Sequence, residues 1–143
     1  MVIGLIKELN QKTSCSTVRA NFELYIIAYI CSMIKRTIIF FCGFSHLFYG
    51  VIALLHPFYI AEFTRYGFGD YRVSIAIFQS LLGIGVLLGF YYSAIGKYAA
   101  LFLVLLMGGA LATRIYIGDS VLQSSPALVY LILNLYIFKS QKS

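Results

Sequence analysis

"YAALFLVLLMGGALATRIYIG", residues 98–118, carries one charged side chain, Arg114, and that one lies a turn from its end. A helix of about twenty residues rises about 30 Å, the depth of a bilayer's hydrocarbon core. A surface helix of a soluble domain would instead show a polar face at every turn. The stretch therefore reads as a membrane span, and the rest of the chain agrees with it. Of 143 residues, 61% are hydrophobic and 11% charged, with a mean hydropathy of +0.88. A soluble domain carries about a quarter of its residues charged. Twelve Tyr and no Trp assign the interfacial aromatic belt to tyrosine.

Working outward, "VSIAIFQSLLGIGVLLGFYYS" (73–93) and "TIIFFCGFSHLFYGVIALLH" (37–56) are further apolar runs of spanning length. Pro57 closes the latter, because a proline continuing a helix lacks its N–H and clashes with the preceding turn. On the C-terminal side, "PALVYLILNLYIF" (126–138) follows Ser125, an expected N-cap, with Pro126 at the first helical position. That segment reaches only about 20 Å, so residues from Val121 must extend it, giving a span over 121–138. The expected fold is all-α, an integral membrane four-helix bundle, with residues 33–143 as the four-span domain.

Residues 1–32 stand apart. "ANFELYIIAYICSMI" (20–34) is apolar but short, contains Glu23 and abuts Lys35-Arg36. A span there would put Lys7, Lys12 and Arg19 on the side opposite to the other cations. "MIKRT", from Met33, reads as a natural start, so 1–32 is expected to be an N-terminal extension, a misassigned start or an interfacial segment. It lacks the small-x-small site of a signal peptide. Lys35, Arg36, Lys97, Lys139 and Lys142 fall on one side of the spans, Arg65, Arg72 and Arg114 on the other. The positive-inside rule then puts both termini in the cytoplasm. The formal charge of +6 is too dispersed for nucleic acid, and fits topology and anionic lipid. Cys15, Cys31 and Cys42 form no C-x-x-C pair and read as incidental thiols.

Small residues inside the spans point first to helix packing, since in lipid close backbone approach supplies the contact. Gly85/Gly89, and Gly108/Ala112 with Gly109/Thr113, form such stripes; they pack helices within the chain or mediate a homodimer. At 100° per residue, Cys42, Gly43, His46, Gly50 and Ala53 share one face of the first span, and Gln79 shares a face with Ala76, Ser80 and Gly83 on the second. If those faces meet, His46 and Gln79 lie at similar depth, either as a helix-to-helix clasp or as functional groups. His56, about 15 Å further along the same helix, cannot join His46 in a haem site. No H-x-x-E motif or cysteine cluster suggests a metal, and no nucleophile–base pair, G-x-S-x-G elbow or phosphate loop suggests catalysis.

Arg114 lies roughly 170° from the Gly108/Gly109/Ala112/Thr113 stripe, so it is expected to face away from the neighbour that this stripe packs against. It either snorkels to the headgroups and makes a structural ion pair, or joins Glu62, Asp70 or Asp119 in a polar mouth with Gln79 beneath. Such a mouth would suit a quinone head group. The loop "PFYIAEFTRYGFGDYR" (57–72) reads as a short amphipathic helix followed by a turn, a natural lid over that end.

The first span ending in His56-Pro57, the loop with "YGFGDYR", then "FQSLLGIGVLLGF" and "LMGGALATRIYIGDSVLQSSPALVYLIL" together resemble the DoxX-like family of small four-helix membrane proteins over residues 37–138. The resemblance is most specific at Gln79–Gly89 and Arg114–Pro126, and it does not reach 1–32. Some members are subunits of thiosulfate:quinone oxidoreductase, others accompany oxidative-stress enzymes, and distant eukaryotic relatives help assemble receptors. The resemblance implies an accessory or assembly subunit of a membrane complex, with a membrane protein partner, or else a quinone-interacting subunit of a membrane oxidoreductase, in a prokaryotic cytoplasmic membrane. The family's second-span motif often has a glutamate where this chain has Gln79, which removes an ionisable group and speaks against quinone reduction. The candidate ligand-binding residues are Gln79, Arg114, Asp119, His46 and Glu62, with no catalytic or metal-binding residue expected.

Overall fold

The computed structural model describes residues 2–141, with side chains from 22 onward. The described residues form five helices: α1 (Val2–Leu55), α2 (Pro57–Arg65), α3 (Arg72–Leu88), α4 (Ser93–Ile117) and α5 (Val121–Ser140). The chain divides into two compact units, Met1–Ile34 and Lys35–Ser143. In the first, the apolar side chains from Phe22 to Ile34 are exposed. The readings placed on Lys7, Lys12, Cys15 and Arg19 fall outside the described side chains.

Among the described residues, three stretches are long and apolar enough to cross a membrane: Phe22–Leu55, Ser93–Ile117 and Val121–Ser140. The apolar α3, at 17 residues, is about 25 Å long and sits at the lower limit of a span. The architecture is all-α and multi-pass. Phe22–Leu55, at 34 residues, would rise about 51 Å, too far for one crossing. Lys35 marks where its second-unit part begins, because Lys35 Nζ donates to the carbonyl of Ser140 at 2.7 Å. A cation on a helix's last free carbonyls is favoured by the helix dipole. From Lys35 to Leu55 the helix covers about 30 Å, one bilayer core.

Arg72 does the same at the opposite end of α1, donating to the carbonyls of Ala53 at 2.6 Å and Leu54 at 3.0 Å. Lys97 Nζ lies 5.8 Å from the ring of Phe138, near the C-terminal end of α5. Lys35 and Lys97 thus gather at one end of the bundle, and Arg72 caps the other.

Helices α1 and α3 meet where glycine removes the side chain. A Cβ on Gly83 would lie 2.7 Å from the backbone nitrogen of Leu47 and 2.8 Å from the carbonyl of Gly43, so nothing larger fits without moving a helix. Gly89 and Gly96 bring α3 and α4 equally close, the Cβ of one falling under 3 Å from the Cα of the other. Ile39, Cys42, Leu82, Val86, Ala99, Ala100, Leu103 and Ile137 form the buried core around these crossings.

The α3–α4 connection is shorter and earlier than the sequence suggests: α3 stops at Leu88, where the expected span runs to 93, and α4 begins at Ser93, ahead of the expected 98. Phe90 and Tyr91 donate back to the carbonyls of Leu87 and Leu88, closing a tight turn. The Gly89–Gly96 approach brings the helix ends together and leaves room only for such a turn, so Lys97 lies within α4.

The fourth span starts at Val121 with Ser120, not Ser125, as its N-cap. Ser120 Oγ accepts from the backbone N–H of Gln123 at 3.3 Å, and Gln123 Oε1 accepts from the Ser120 N–H at 3.1 Å. This reciprocal box satisfies two donors at once, whereas a serine before proline has one fewer backbone N–H to cap. Pro126 therefore sits inside the helix. The Leu122 carbonyl it leaves without its usual donor accepts from Ser125 Oγ at 2.8 Å.

Candidate functional site

At the α2 end of the bundle all five helices line one cavity of about 660 Å³. Its walls are mostly apolar and aromatic. Of the five residues expected to bind a ligand, His46, Glu62, Gln79 and Arg114 line it, and Asp119 stands beside it. Two polar groups organise the space, one deep among the helices and one at the mouth.

The deep group begins with His46 on the small-residue face of α1, where its side chain is 1% exposed. The α1–α3 crossing brings Gln79 to it, with Gln79 Nε2 at 3.3 Å from His46 Nδ1. On its other side Asn134 of α5 places Nδ2 at 2.9 Å from His46 Nε2. Asn134 is fully buried, and its Nδ2 also donates to the Tyr130 carbonyl one turn back at 2.8 Å. The ring of Tyr130 lies 5.0 Å from that of His46. Gln79, His46 and Asn134 thus tie three helices together through one imidazole.

The mouth is built by α2 and the α4–α5 turn. Pro57 ends α1 and starts α2, and His56 caps the new helix, its Nδ1 accepting from the Phe58 N–H at 3.2 Å. The short helix expected in the loop is α2, followed by a turn at Tyr66–Gly67. On α2, Tyr59, Glu62, Phe63 and Tyr66, spaced at helical intervals, line the cavity together with Phe58, while Ile60 is 42% exposed. The inward face is mixed because charged partners wait opposite it.

Those partners come from Gly118, whose φ of +81° ends α4 in the left-handed region that glycine tolerates best. The turn delivers Asp119, with a side chain only 2% exposed, to Arg65. Arg65 donates to Asp119 Oδ1 at 2.8 Å and to Glu62 Oε2 at 2.9 Å. The Tyr66 hydroxyl lies 2.8 Å from both Glu62 Oε2 and Asp119 Oδ2, and accepts from Arg65 at 2.8 Å. Arg114 donates to Asp119 Oδ2 at 3.3 Å and to the Gln123 carbonyl at 3.0 Å. Of the three carboxylates considered for Arg114, the structure gives it Asp119.

Hydrogen bonds from Arg65 hold both Glu62 and Asp119 below the usual carboxylate range. The same bonds push the guanidinium of Arg65 up. Burial, then the two carboxylates, raise the phenol of Tyr66 above its ordinary value. At neutral pH the cluster therefore holds two cations, two anions and a neutral phenol.

Arg114 does not face away from a packed stripe. A Cβ on Gly109 would meet nothing within 4 Å, and one on Gly108 would reach only Leu131 Cδ1, at 3.9 Å. Helix α4 buries Gly96, Ala99, Ala100, Leu103 and Met107 instead, and Gly109 and Thr113 open onto the same cavity as Arg114. Small residues here make room for a space, not for a neighbouring helix. Gly85, by contrast, meets Ala99 across the α3–α4 contact.

Asn134, Tyr66 and Arg65 were missed as site residues. Asn134 had a signal, as a lone amide within an apolar run. Tyr66 and Arg65 had none beyond membership of a polar loop. Among the described residues no group of three or more metal-ligating side chains gathers.

The DoxX-like family model matches residues 37–136, well over half of the chain. No curated protein and no solved structure matches it. The chain belongs to the DoxX-like family.

Proposed function

With membership of the DoxX-like family as the premise, we propose that this multi-pass membrane protein is a quinone-interacting subunit of a membrane oxidoreductase, binding the ligand without itself reducing it. One observation carries the reading: a largely apolar cavity within the helices, with the Gln79–His46 amide and imidazole deep inside and the Arg114–Asp119 pair at its mouth. An isoprenoid or alkyl-tailed ring needs such a space, with a few polar groups to orient its carbonyls. Gln79 carries no proton to transfer in the physiological range, which fits holding the head group over reducing it.

A second reading, a non-catalytic accessory or assembly subunit with a membrane protein partner or a second copy, draws on a different fact. The polar groups of the cavity are bonded to one another, as in a scaffold. Cytoplasmic termini are supported by the sequence's count of five cations, Lys35, Arg36, Lys97, Lys139 and Lys142, against Arg65, Arg72 and Arg114, and a prokaryotic cytoplasmic membrane by the family resemblance.

Native mass spectrometry of protein gently extracted from its own membrane separates the two. The expected result is a co-purifying quinone that is lost in Gln79→Leu or Arg114→Ala protein. A stoichiometric protein partner with no small molecule overturns the quinone reading in favour of assembly.

A further inference from the structure

The deep polar chain has one acceptable arrangement of protons, and that arrangement decides what Gln79 shows to the cavity. A neutral imidazole has one N–H and one lone pair, whereas carboxamide NH2 groups only donate. The amide nitrogens of Asn134 and Gln79 lie at 2.9 Å and 3.3 Å from the two ring nitrogens of His46. Both cannot donate to the same neutral ring. A doubly protonated ring could accept from neither.

Asn134 is the member that cannot turn. Its Nδ2 also donates to the Tyr130 carbonyl at 2.8 Å, and exchanging its two amide atoms would press oxygen against oxygen there. Asn134 Oδ1 is, among the described residues, the one buried side-chain polar atom without a partner. A buried acceptor left bare is costly, and the chain tolerates it to keep the NH2 in place. His46 Nε2 is therefore the lone pair, and Nδ1 carries the proton. Gln79 has to offer Nδ1–H its oxygen, a half-turn of a near-symmetrical group.

We infer that Asn134, acting through the tautomer of His46, commits the Gln79 oxygen to Nδ1–H and leaves the Gln79 NH2 as a donor for the cavity, so that the site prefers a carbonyl head group over the corresponding hydroxyl. The ligand class rests on the quinone reading above; the proton arrangement does not. A quinone carbonyl accepts from that NH2. A quinol oxygen can also accept from that NH2, but its O–H then finds the Gln79 oxygen already turned to His46, and an unpaired donor in an apolar pocket weakens binding. Asn134 and His46 are positioning residues here, and Gln79 is the group that meets the ligand.

Two measurements on the full chain in detergent test this. Nitrogen-15 spectra of histidine-labelled protein should show His46 protonated at Nδ1 and bare at Nε2; the opposite tautomer overturns the inference without any ligand. Calorimetric titration with a decyl-tailed 1,4-benzoquinone and its quinol, the latter kept reduced, should give at least about fivefold tighter binding of the quinone, in line with one hydrogen bond. In Asn134→Leu the ratio should fall towards one, because His46 is free to exchange tautomers. Gln79→Glu should remove the preference by replacing the NH2 with an oxygen. Equal binding of both forms to the unaltered protein, or an unchanged ratio in folded Asn134→Leu, overturns this inference alone. If neither form binds, the quinone reading falls and this one with it, even with the expected tautomer present.

Discussion

The two polar groups of the cavity are wired differently. At the mouth, Asp119 accepts from Arg65 and Arg114, Glu62 accepts from two N–H groups of Arg65, and the single Tyr66 proton is within reach of both, so each anion has more than one donor. Deep in the bundle, Gln79, His46 and Asn134 form a single file in which the imidazole is the only link between the two amides. The mouth is connected in parallel and reaches water, with the Arg65 side chain 41% exposed. The file is connected in series, with His46 and Asn134 fully buried. Parallel connection in a high dielectric makes each bond dispensable, whereas series connection in a low dielectric makes the middle member critical.

The largest effect is therefore expected from the middle of the file. His46→Leu removes both interhelical hydrogen bonds and leaves the Gln79 and Asn134 amides facing an apolar side chain. The loss should be about 1–2 kcal/mol, the upper range for polar contacts between helices in membranes. Thermal or denaturant unfolding in detergent measures it. If stability is unchanged, the file does not clasp the helices and the contrast with the mouth collapses.

The same wiring explains what could be read in advance. His46 and Gln79 were legible because each is polar in an apolar run and shares a face with glycine, alanine or serine, and a small-residue face has to meet another helix. Asn134 has Leu133 and Leu135 beside it, and its nearest small face-mates, Ala127 and Ser124, lie two and three turns away, so its partner depends on how α5 is turned. That rotation is set partly by the start of the helix, where two signals compete. Ser125-Pro126 looks like an N-cap locally, but Ser120 with Gln123 satisfies two backbone donors and prevails. Gly108 and Gly109 failed as predictors for a related reason: a small residue allows either a close neighbour or a void, and only the packing of α4 through Ala99, Ala100 and Leu103 selects the void. Arg65 and Asp119, 54 residues apart, meet only once α2 lies across the cavity.

An intermediate effect is expected from pH, and it should act on the mouth alone. Glu62 and Asp119 have depressed pKa values in the docked state, so their contribution is present above the ordinary carboxylate value and is lost as pH falls through the docked one. Tyr66 is displaced upward, so the docked state keeps it neutral and docking weakens as pH rises past the ordinary phenol value. Amide hydrogen exchange over α2 should then show flat protection from about pH 5 to 9, after correction for intrinsic rates, and faster exchange below about pH 4. His56→Asn is the suitable background, since asparagine keeps the N-cap with an uncharged amide. A change in α2 protection between pH 5 and 8 in that background would falsify the view that this cluster holds the helix down.

The smallest effect is expected at Arg114, although it was the single charge in the span from which the fold was read. Its bond to Asp119, at 3.3 Å, is longer than the 2.8 Å bond from Arg65 to the same carboxylate. Removing it leaves Asp119 with Arg65 and Tyr66, and α4 still ends through the left-handed Gly118. The Gln123 carbonyl it also serves lies near the mouth, where water can replace the guanidinium. Arg114→Ala should thus give a yield of folded protein within about one-fifth of the unaltered chain, as for exposed ion pairs generally. Size-exclusion profiles in detergent report that yield directly. A collapse in yield would mean that Arg114 is the one member of the mouth connected in series, with the α4–α5 turn depending on it. Retention of yield together with loss of a bound quinone would separate its part in binding from any part in folding.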